Sequence, residues 1–207
     1  MKIQYQSKLL MIGDSITDCG RIYESPPLGN GYVRFVHNSM KSNYPESGIE
    51  IINRGIGGDT VRDLKKRWQR DVLELKPDWL SIMIGINDVW LQNDDWLLKE
   101  EKISIEEYER ILGELIASTF PSLKGLILMM PYYLQLDRKD SMRASVDSYG
   151  DVVRQYAKKY DAVFVDTQSV FDEALKEMDA ADLSEDRIHM NAVGHKILAD
   201  AFLKEIE

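Results

Sequence analysis

The sequence predicts an α/β fold built on a parallel sheet. Five short apolar runs, each bounded by Gly, Pro or Asp, alternate with segments whose apolar residues recur every three or four positions. The runs are nearly continuous rather than alternating, as expected of strands that are buried on both faces. Strands alternating with helices favour parallel strands joined by right-handed crossovers. We find no internal repeat or linker, so we expect one domain over residues 1–207.

Each predicted element follows from its own stretch of sequence. The apolar runs have the length of buried strands and are too short for amphipathic helices; they lie at 9–13, 49–53, 79–85, 125–130 and 162–166. Apolar stripes with helical spacing predict helices within 61–75, 105–119, 146–160 and 193–202. The longest irregular pieces are 14–30, 86–103, 131–144 and 179–190, and long loops in a compact domain are often functional.

The amino-acid composition argues against several classes of binding partner. The chain has 207 residues and a formal net charge of −9, which argues against a nucleic-acid partner and against binding to anionic membranes. Cys19 is the only cysteine, so neither an intramolecular disulfide nor a cysteine-based metal cluster can form. The longest apolar run is too short to cross a bilayer, and the first residues do not resemble a signal peptide. We therefore expect a cytoplasmic protein that needs no metal or cofactor.

Several unusual segments follow predicted strands, where ligands bind in an open parallel sheet. Ser15 lies in "GDSIT" after the first strand, "NRGIGGDT" (53–60) follows the second, and "GIND" (85–88) follows the third. The loop 179–190 precedes the last helix. Because the carboxyl ends of parallel strands meet at one edge of the sheet, these segments are expected to converge there.

The three histidines differ in their sequence context. His37 lies in a helical pattern and is interpreted as a helix-surface residue, and His195 lies inside the last predicted helix as a packing or capping residue. His189 lies in a loop, three residues after Asp186. A carboxylate at that spacing can hold one ring nitrogen while the other faces Ser15, as in a catalytic triad. The pair could instead form a surface salt bridge or contribute to a metal site, although further clustered ligands are lacking.

Hydrogen-bond donors for a negatively charged oxygen are also present. Gly57 and Gly58 precede a predicted helix and can expose backbone amides there, and Asn87 offers a side-chain amide at the end of the third strand. The N–H of Ser15 is a third candidate donor. A glycine-rich helix start could equally hold a phosphate, but neither G-x-x-x-x-G-K-[ST] nor G-x-G-x-x-G occurs. A binding module for a phosphorylated ligand and a structural subunit therefore remain alternatives to an enzyme.

Four short blocks together resemble a known enzyme family. "GDSIT", the glycine of "NRGIGGDT", the asparagine of "GIND" and the pair in "DRIH" resemble, in order, the blocks of the SGNH (GDSL-type) hydrolases. The longer stretches "IGDSITDCGR" and "PDWLSIMIGINDVW" are similar to bacterial intracellular acetyl-xylan esterases within that family. The resemblance implies a three-layer α/β/α fold with a flavodoxin-like, five-stranded parallel sheet in the order 2-1-3-4-5.

The resemblance also implies the chemistry. Ser15 would be the nucleophile, His189 the base and Asp186 the group that orients it, with Ser15, Gly58 and Asn87 forming the oxyanion hole. The implied substrates are esters of small acyl groups, above all acetyl groups on xylo-oligosaccharides or related carbohydrates. Related sequences hydrolyse lysophospholipids, thioesters or aryl esters, and these remain alternative substrates.

Four further residues are candidates for substrate contact. Asp14 precedes the nucleophile, and Arg187 stands where many relatives have glycine after the catalytic aspartate. Trp90 and Tyr132 are expected in loops after strands three and four, together with Trp96 and Tyr133, and aromatic faces suit sugar rings. The same aromatic residues could instead pack loops onto the body or form the contacts of a homo-oligomer.

One basic cluster has an ordinary interpretation. Lys65, Lys66, Arg67 and Arg70 are expected on the solvated face of their helix, with Asp63 and Asp71 as partners. Cys19 is expected to be a small buried apolar residue.

Overall fold

Five parallel strands form the centre of the molecule. The structure is a computed structural model that describes residues 1–25, 27–92 and 102–207. The strand order is 2-1-3-4-5, as predicted, with every neighbouring pair parallel. The strands are β1 (Lys8–Gly13), β2 (Glu50–Gly55), β3 (Trp79–Met83), β4 (Gly125–Met129) and β5 (Val163–Val165).

Helices cover both faces of this sheet. They are α1 (Ser15–Asp18), α2 (Tyr32–Asn43), α3 (Val61–Trp68), α4 (Ile86–Gln92), α5 (Ile105–Thr119), α6 (Ser141–Lys159), α7 (Thr167–Ala174) and α8 (Ala192–Ile206). The chain steps from β1 outward to β2 and then back past β1 to β3, so right-handed crossovers place α2 on one face and α3 on the other. Helices α2, α7 and α8 pack together, as do α3, α5 and α6. The result is the predicted three-layer arrangement.

The central strands explain the continuous apolar runs. Leu9, Leu10, Met11 and Ile12 of β1 are fully buried, and every residue of β3 is buried. Strand β2 lies at an edge of the sheet and has a mixed pattern of exposed, intermediate and buried positions. Burial on both faces is therefore confined to the strands in the middle of the sheet, as expected for a doubly covered parallel sheet.

Several segments that were expected to be irregular are helical. Helix α4 begins directly after β3, inside the predicted loop 86–103, and α6 begins at Ser141, where the side chain of Asp140 caps it by accepting from Arg143 N–H. Helix α7 lies where a helix is expected between the fifth strand and the loop 179–190. The stripe at 61–75 is an α-helix only as far as Trp68, and it continues as a π-helical turn over Gln69–Leu73. These helices are short or begin with polar residues, so their apolar spacing gives a weak signal.

Two glycines let α1 lie directly on the backbone of the sheet. A Cβ atom at Gly55 would lie 2.1 Å from the backbone nitrogen of Asp18, and one at Gly13 would lie 2.2 Å from the carbonyl oxygen of Met83. No larger residue fits at either position unless the backbone moves. The ends of β1 and β2 therefore fix where α1 lies.

A buried carboxyl group joins the starts of two helices. The Asp88 side chain, in the first turn of α4, accepts hydrogen bonds of 3.1 and 3.3 Å from the backbone N–H of Val61, the first residue of α3. Burial raises the pKa of Asp88 to about 7, although the backbone hydrogen bonds act in the opposite direction. Asp88 thus fixes α3 relative to α4.

The described residues include no helix that is both long and apolar enough to cross a membrane.

Replacing Gly55 with Ala tests the contact between α1 and β2. The added methyl group meets backbone rather than a flexible side chain, so we expect Gly55→Ala to lower the free energy of unfolding by about 1–3 kcal/mol. Urea denaturation measures this change. Gly57→Ala is the matched control, because its Cβ would meet only Ser15 Cβ at 3.8 Å and Asp18 Oδ2 at 4.0 Å, and its stability should stay within about 0.5 kcal/mol. Equal stability of both variants would contradict the prediction.

The pH dependence of stability tests the burial of Asp88. In the folded chain its pKa is about 7, whereas an unfolded aspartate has a pKa of about 3.9. Between these values the folded state keeps a proton that the unfolded state loses, so the stability contributed by Asp88 falls as pH rises. The unfolding free energy of the wild type minus that of Asp88→Asn should fall between pH 4 and 7, by at most about 1.4 kcal/mol per pH unit, and level off above that range. A difference that stays constant or rises with pH would exclude this.

Candidate active site

Ser15 is the first residue of the one-turn helix α1. The Asp14 side chain caps the helix by accepting from Ile16 N–H at 3.0 Å. Cys19 ends it in a left-handed conformation, with φ at 38°, and its N–H donates to the Ser15 carbonyl. First-turn N–H groups lack partners within a helix, so the Ser15 N–H is oriented as a donor beside its own hydroxyl. The serine is therefore held on a short and well-defined turn.

Ser15, His189 and Asp186 form a continuous chain of hydrogen bonds. Ser15 Oγ lies 2.8 Å from His189 Nε2, and His189 Nδ1 lies 2.6 Å from Asp186 Oδ2. The nitrogen that faces the carboxylate carries the ring proton, which leaves Nε2 as the acceptor that faces the hydroxyl. The structure thus brings together the three residues that the sequence identified, although 174 positions separate Ser15 from His189.

Asp186 is fixed by several donors of its own loop. Its Oδ1 accepts from the backbone N–H groups of Ile188 and His189 and from the Ser184 hydroxyl, at 2.7–3.0 Å. Partial burial alone would raise the pKa of Asp186, but these bonds and the bond from the His189 ring outweigh it and hold the pKa well below its usual range. The carboxylate therefore stays ionised and keeps the imidazole in one orientation.

Arg187 completes the turn between these two residues. Its φ of 69° lies in the left-handed region that favours glycine. The carbonyl of Arg187 accepts from Leu134 N–H, so the turn is tied to the segment after β4. The side chain of Arg187 is exposed and remains a candidate for contact with a ligand at the rim.

The loop between β2 and α3, residues 56–60, is called the glycine loop here and lies beside Ser15. A Cβ atom at Gly57 would be 3.8 Å from Ser15 Cβ, and one at Gly58 would have no neighbour within 4 Å. Gly58 has a φ of 82°, which explains a glycine there and turns the loop outward. Asn87 Nδ2 donates to the carbonyl of Asp59 at 2.9 Å, and its second amide hydrogen can serve a ligand. Asn87 is thereby joined to the loop that carries Gly58, and Gly57 of that loop lies beside Ser15.

Two candidates for substrate contact lie inside the protein instead. Asp14 is buried, and burial raises its pKa to about 7. Tyr132 is fully buried, packs on Phe171 and donates its hydroxyl proton to the carbonyl of Ile188. The expectation that they touch substrate is therefore wrong. Asp14 caps the nucleophile helix, and Tyr132 supports the loop that carries His189.

Trp90 is an exposed aromatic side chain on α4, the helix that carries Asn87. Its side chain is 52% exposed, and it lies three residues after Asn87 on α4, which places both on one side of that helix. Trp90 thus remains a candidate for contact with a sugar ring. Tyr133 is half-buried, and Trp96 lies outside the described residues.

His195 has the packing role that was expected. It is buried, its Nδ1 accepts from Tyr32 N–H at 3.2 Å, and its Nε2 lies 3.2 Å from Cys19 Sγ. Burial lowers the pKa of His195 to about 4, so the ring is neutral near pH 7. Cys19 is half-buried rather than fully buried, and it joins α1 to α8 through this contact. His37 is half-buried on α2.

The basic cluster on α3 does not form one solvated face. Lys65, Lys66 and Arg70 are exposed, but Arg67 is only 8% exposed and forms ion pairs with Asp59 and Asp71. The prediction for Arg67 is therefore wrong, because its position in the helix turns it toward the sheet. Its spacing of three residues from the buried Leu64 is a weak signal, because Arg70, three residues further on, is exposed.

No group of three or more His, Cys, Asp or Glu side chains within residues 1–25, 27–92 and 102–207 could hold a metal ion.

Comparison with known proteins gives a close relative over the full length of this chain and a more distant one over part of it. The chain is 51% identical to "Acetylxylan esterase" of Geobacillus stearothermophilus over 211 aligned positions, which cover all of this chain and 96% of the relative. It is 27% identical to the "Uncharacterized lipoprotein YqeF" of Bacillus subtilis (strain 168), over 73% of this chain and 66% of that protein.

Solved structures agree with this relationship. The crystal structure of the Geobacillus acetylxylan esterase is 50% identical, with a TM-score of 0.95 over all of this chain and 96% of that one. An alpha/beta hydrolase from the metagenome of Lake Arreo, Spain, is 43% identical, also with a TM-score of 0.95, over all of this chain and 97% of that one. Catalytic mutants of the Geobacillus enzyme replace a serine, an aspartate and a histidine, the last two lying three positions apart in that enzyme.

Family assignment follows from the length of the match as well as from its closeness. Residues 11–197 match the GDSL-like lipase/acylhydrolase family, a range that includes the serine turn, the glycine loop, the asparagine and the aspartate–histidine turn. The alternative of a non-catalytic phosphate-binding module loses its basis with this match. The chain belongs to the GDSL-like lipase/acylhydrolase family.

Proposed function

We propose that this chain is a serine esterase that removes acetyl groups from acetylated xylo-oligosaccharides. The observation that carries the proposal is the bonded chain from Ser15 through His189 to Asp186, beside a loop that presents amide donors. The full-length relationship to an acetylxylan esterase supports the choice of acyl group and of sugar. The exposed indole of Trp90 near Asn87 offers a surface on which a sugar ring can stack.

The first half of the reaction forms an acyl-enzyme. His189 Nε2 takes the proton of the Ser15 hydroxyl as Oγ bonds to the ester carbonyl carbon. The carbonyl oxygen becomes negatively charged and is bound by the N–H groups of Ser15 and Gly58 and by the side-chain amide of Asn87. His189 then gives its proton to the departing sugar oxygen, and the acetyl group stays on Ser15.

The second half releases the acid. A water molecule gives a proton to His189 as its oxygen bonds to the acyl carbon, and the same donors bind the oxyanion again. The bond to Ser15 then breaks, Ser15 regains the proton, and acetate leaves. Asp186 remains ionised throughout, holds the tautomer of His189 and stabilises the imidazolium that forms in each half.

Assembly and location remain predictions from the sequence. A homo-oligomer is compatible with exposed aromatic side chains such as Trp90 and Tyr23. A cytoplasmic location and the absence of a nucleic-acid partner rest on the sequence, and no cofactor enters the proposed reaction.

Substrate competition tests the proposed function. We expect the wild type to release acetate from acetylated xylo-oligosaccharides more efficiently than it hydrolyses long-chain p-nitrophenyl esters, with kcat/KM as the measured quantity. Ser15→Ala should lose turnover of both almost completely, because the nucleophile is absent, and should not react with a fluorophosphonate that labels the wild type.

A preference for long acyl chains would contradict the sugar acetate and favour a lysophospholipase or thioesterase. Wild-type protein that neither hydrolyses esters nor accepts the fluorophosphonate label would contradict the esterase itself. Ser145→Ala is a suitable control, since Ser145 lies in α6, outside the candidate site, and its hydroxyl donates to the Ser141 carbonyl of the same helix.

Removing the Asn87 amide tests the oxyanion hole. Asn87→Ala should lower kcat by about 10²–10³, the usual effect of losing one such donor. KM should change much less, because the charge that Asn87 binds develops only in the transition state. Steady-state kinetics on an acetyl ester measure both, with Asn38→Ala on the exposed part of α2 as the control. An unchanged kcat would remove Asn87 from the mechanism.

A further inference from the structure

Arg67 places a charged group beneath the loops of the candidate site. Its Nε donates to Asp59 Oδ2 at 2.6 Å, and its Nη1 donates to Asp71 Oδ2 at 3.0 Å. Nη1 also donates to the carbonyl of Arg54 at 2.7 Å, and Nη2 donates to the carbonyl of Gly13 at 3.1 Å. All three nitrogen atoms of the guanidinium are thus used in the interior, and none of these bonds joins Arg67 to the substrate face.

The two carbonyl groups lie at the ends of neighbouring strands. Gly13 is the last residue of β1, and Ser15 follows it by two positions. Arg54 is the penultimate residue of β2, which pairs with β1 up to Gly13 and Gly55. Arg67 therefore bridges the two strand ends from which the nucleophile and the glycine loop emerge.

Asp59 connects the guanidinium with the amide donors. Its side chain binds Arg67, its carbonyl accepts from Asn87 Nδ2, and it directly follows Gly58. A movement of Asp59 would therefore displace both Gly58 N–H and the Asn87 amide. Ser15 would keep its place on α1, so the distances from Ser15 to the Gly58 and Asn87 donors would change.

We propose that Arg67 is a positioning residue for the acyl-transfer reaction, holding the oxyanion donors at a fixed distance from Ser15. The inference rests on the proposed function, because it assigns a role in that reaction. Arg67 reaches the reacting atoms only through Gly13, Asp59 and Asn87.

Guanidinium chemistry suits this role better than an ammonium group does. A guanidinium presents five N–H donors in a rigid plane, so four acceptors on three different segments are held at fixed angles. A lysine has one flexible donor group and cannot reach strand ends and two carboxylates together. The conservative change Arg67→Lys keeps the buried charge opposite Asp59 and Asp71 but loses this geometry.

A purely structural role predicts different behaviour. Loss of a buried cation destabilises the fold because it leaves carboxylates without a partner. Such a loss would lower the melting temperature and the fraction of active molecules, but it would leave the kcat of the folded molecules unchanged. Kinetics normalised to the active-site concentration separate the two roles.

The experiment compares Arg67→Lys and Arg67→Met with the wild type on an acetyl ester, well below their melting temperatures. Active sites are titrated with a fluorophosphonate. We expect kcat to fall about 10- to 100-fold, as for other small displacements of catalytic groups, with KM within about threefold because ground-state binding is retained. The rate of fluorophosphonate labelling should fall with kcat, since it uses the same donors.

A double-mutant cycle with Asn87→Ala provides the decisive comparison. If Arg67 acts through the donors, Arg67→Lys should lower kcat much less in the Asn87→Ala background than in the wild type. Arg70→Met is the matched control, because Arg70 is 69% exposed and binds the same Asp71 without touching a strand end. It should leave kcat unchanged.

Three results would overturn the inference: an unchanged kcat per active site in both variants, multiplicative effects in the cycle, or an equal loss in Arg70→Met. If Arg67→Met does not fold, Arg67→Lys and Asp59→Asn address the same contacts. Wild-type protein without esterase activity would contradict the proposed function, a result that is distinct from these three.

Discussion

Close packing of backbone on backbone at the ends of β1 and β2 is the constraint on which the site depends. A one-turn helix lies against Gly55 with no room for a side chain between them. This contact fixes α1, and α1 fixes the direction of the Ser15 hydroxyl. The glycine loop leaves the same strand end and passes Ser15 through Gly57. Nucleophile and donor loop therefore share one backbone support, and the buried guanidinium of Arg67 bridges the two strand ends that form it.

Electrostatics around the site follow from the balance between burial and hydrogen bonding at each carboxyl group. Asp186 accepts four bonds, from two N–H groups, a hydroxyl and the His189 ring, and its pKa is lowered. Asp14 lies one residue before Ser15 in a buried position, and burial raises its pKa to about 7. The raised pKa of Asp14 lowers the negative charge that lies behind an oxyanion near pH 7, whereas an ionised Asp186 stabilises an imidazolium. The same residue type thus meets opposite requirements through its surroundings.

Sequence reasoning succeeded where a residue's neighbours in the chain determine its environment. The buried runs of β1 and β3 predicted the sheet, and the Asp186–His189 spacing predicted a bond that a local turn forms. It failed where the environment comes from distant segments. Arg67 has the same basic character as its neighbours, and only the strand ends opposite it, with Asp59, make it an interior residue. Helix α4 was missed for a different reason, since it has only seven residues and its apolar spacing gives a weak signal.

Exposure of the reacting groups is consistent with a long and polar substrate. The side chains of His189 and Asp186 are 58% and 47% exposed, so the triad lies at the surface rather than in a deep cavity. An acetyl group on a sugar chain can reach Ser15 from outside, while the chain itself stays hydrated and need not be buried. A long acyl chain gains affinity mainly from burial of its apolar surface. A triad at the protein surface allows little such burial. The exposed triad therefore has to be held in place from the protein interior. There the buried Tyr132 donates to the carbonyl of Ile188 and fixes the loop that carries His189. Such an arrangement keeps the polar atoms accessible and still preserves the geometry that the transition state requires.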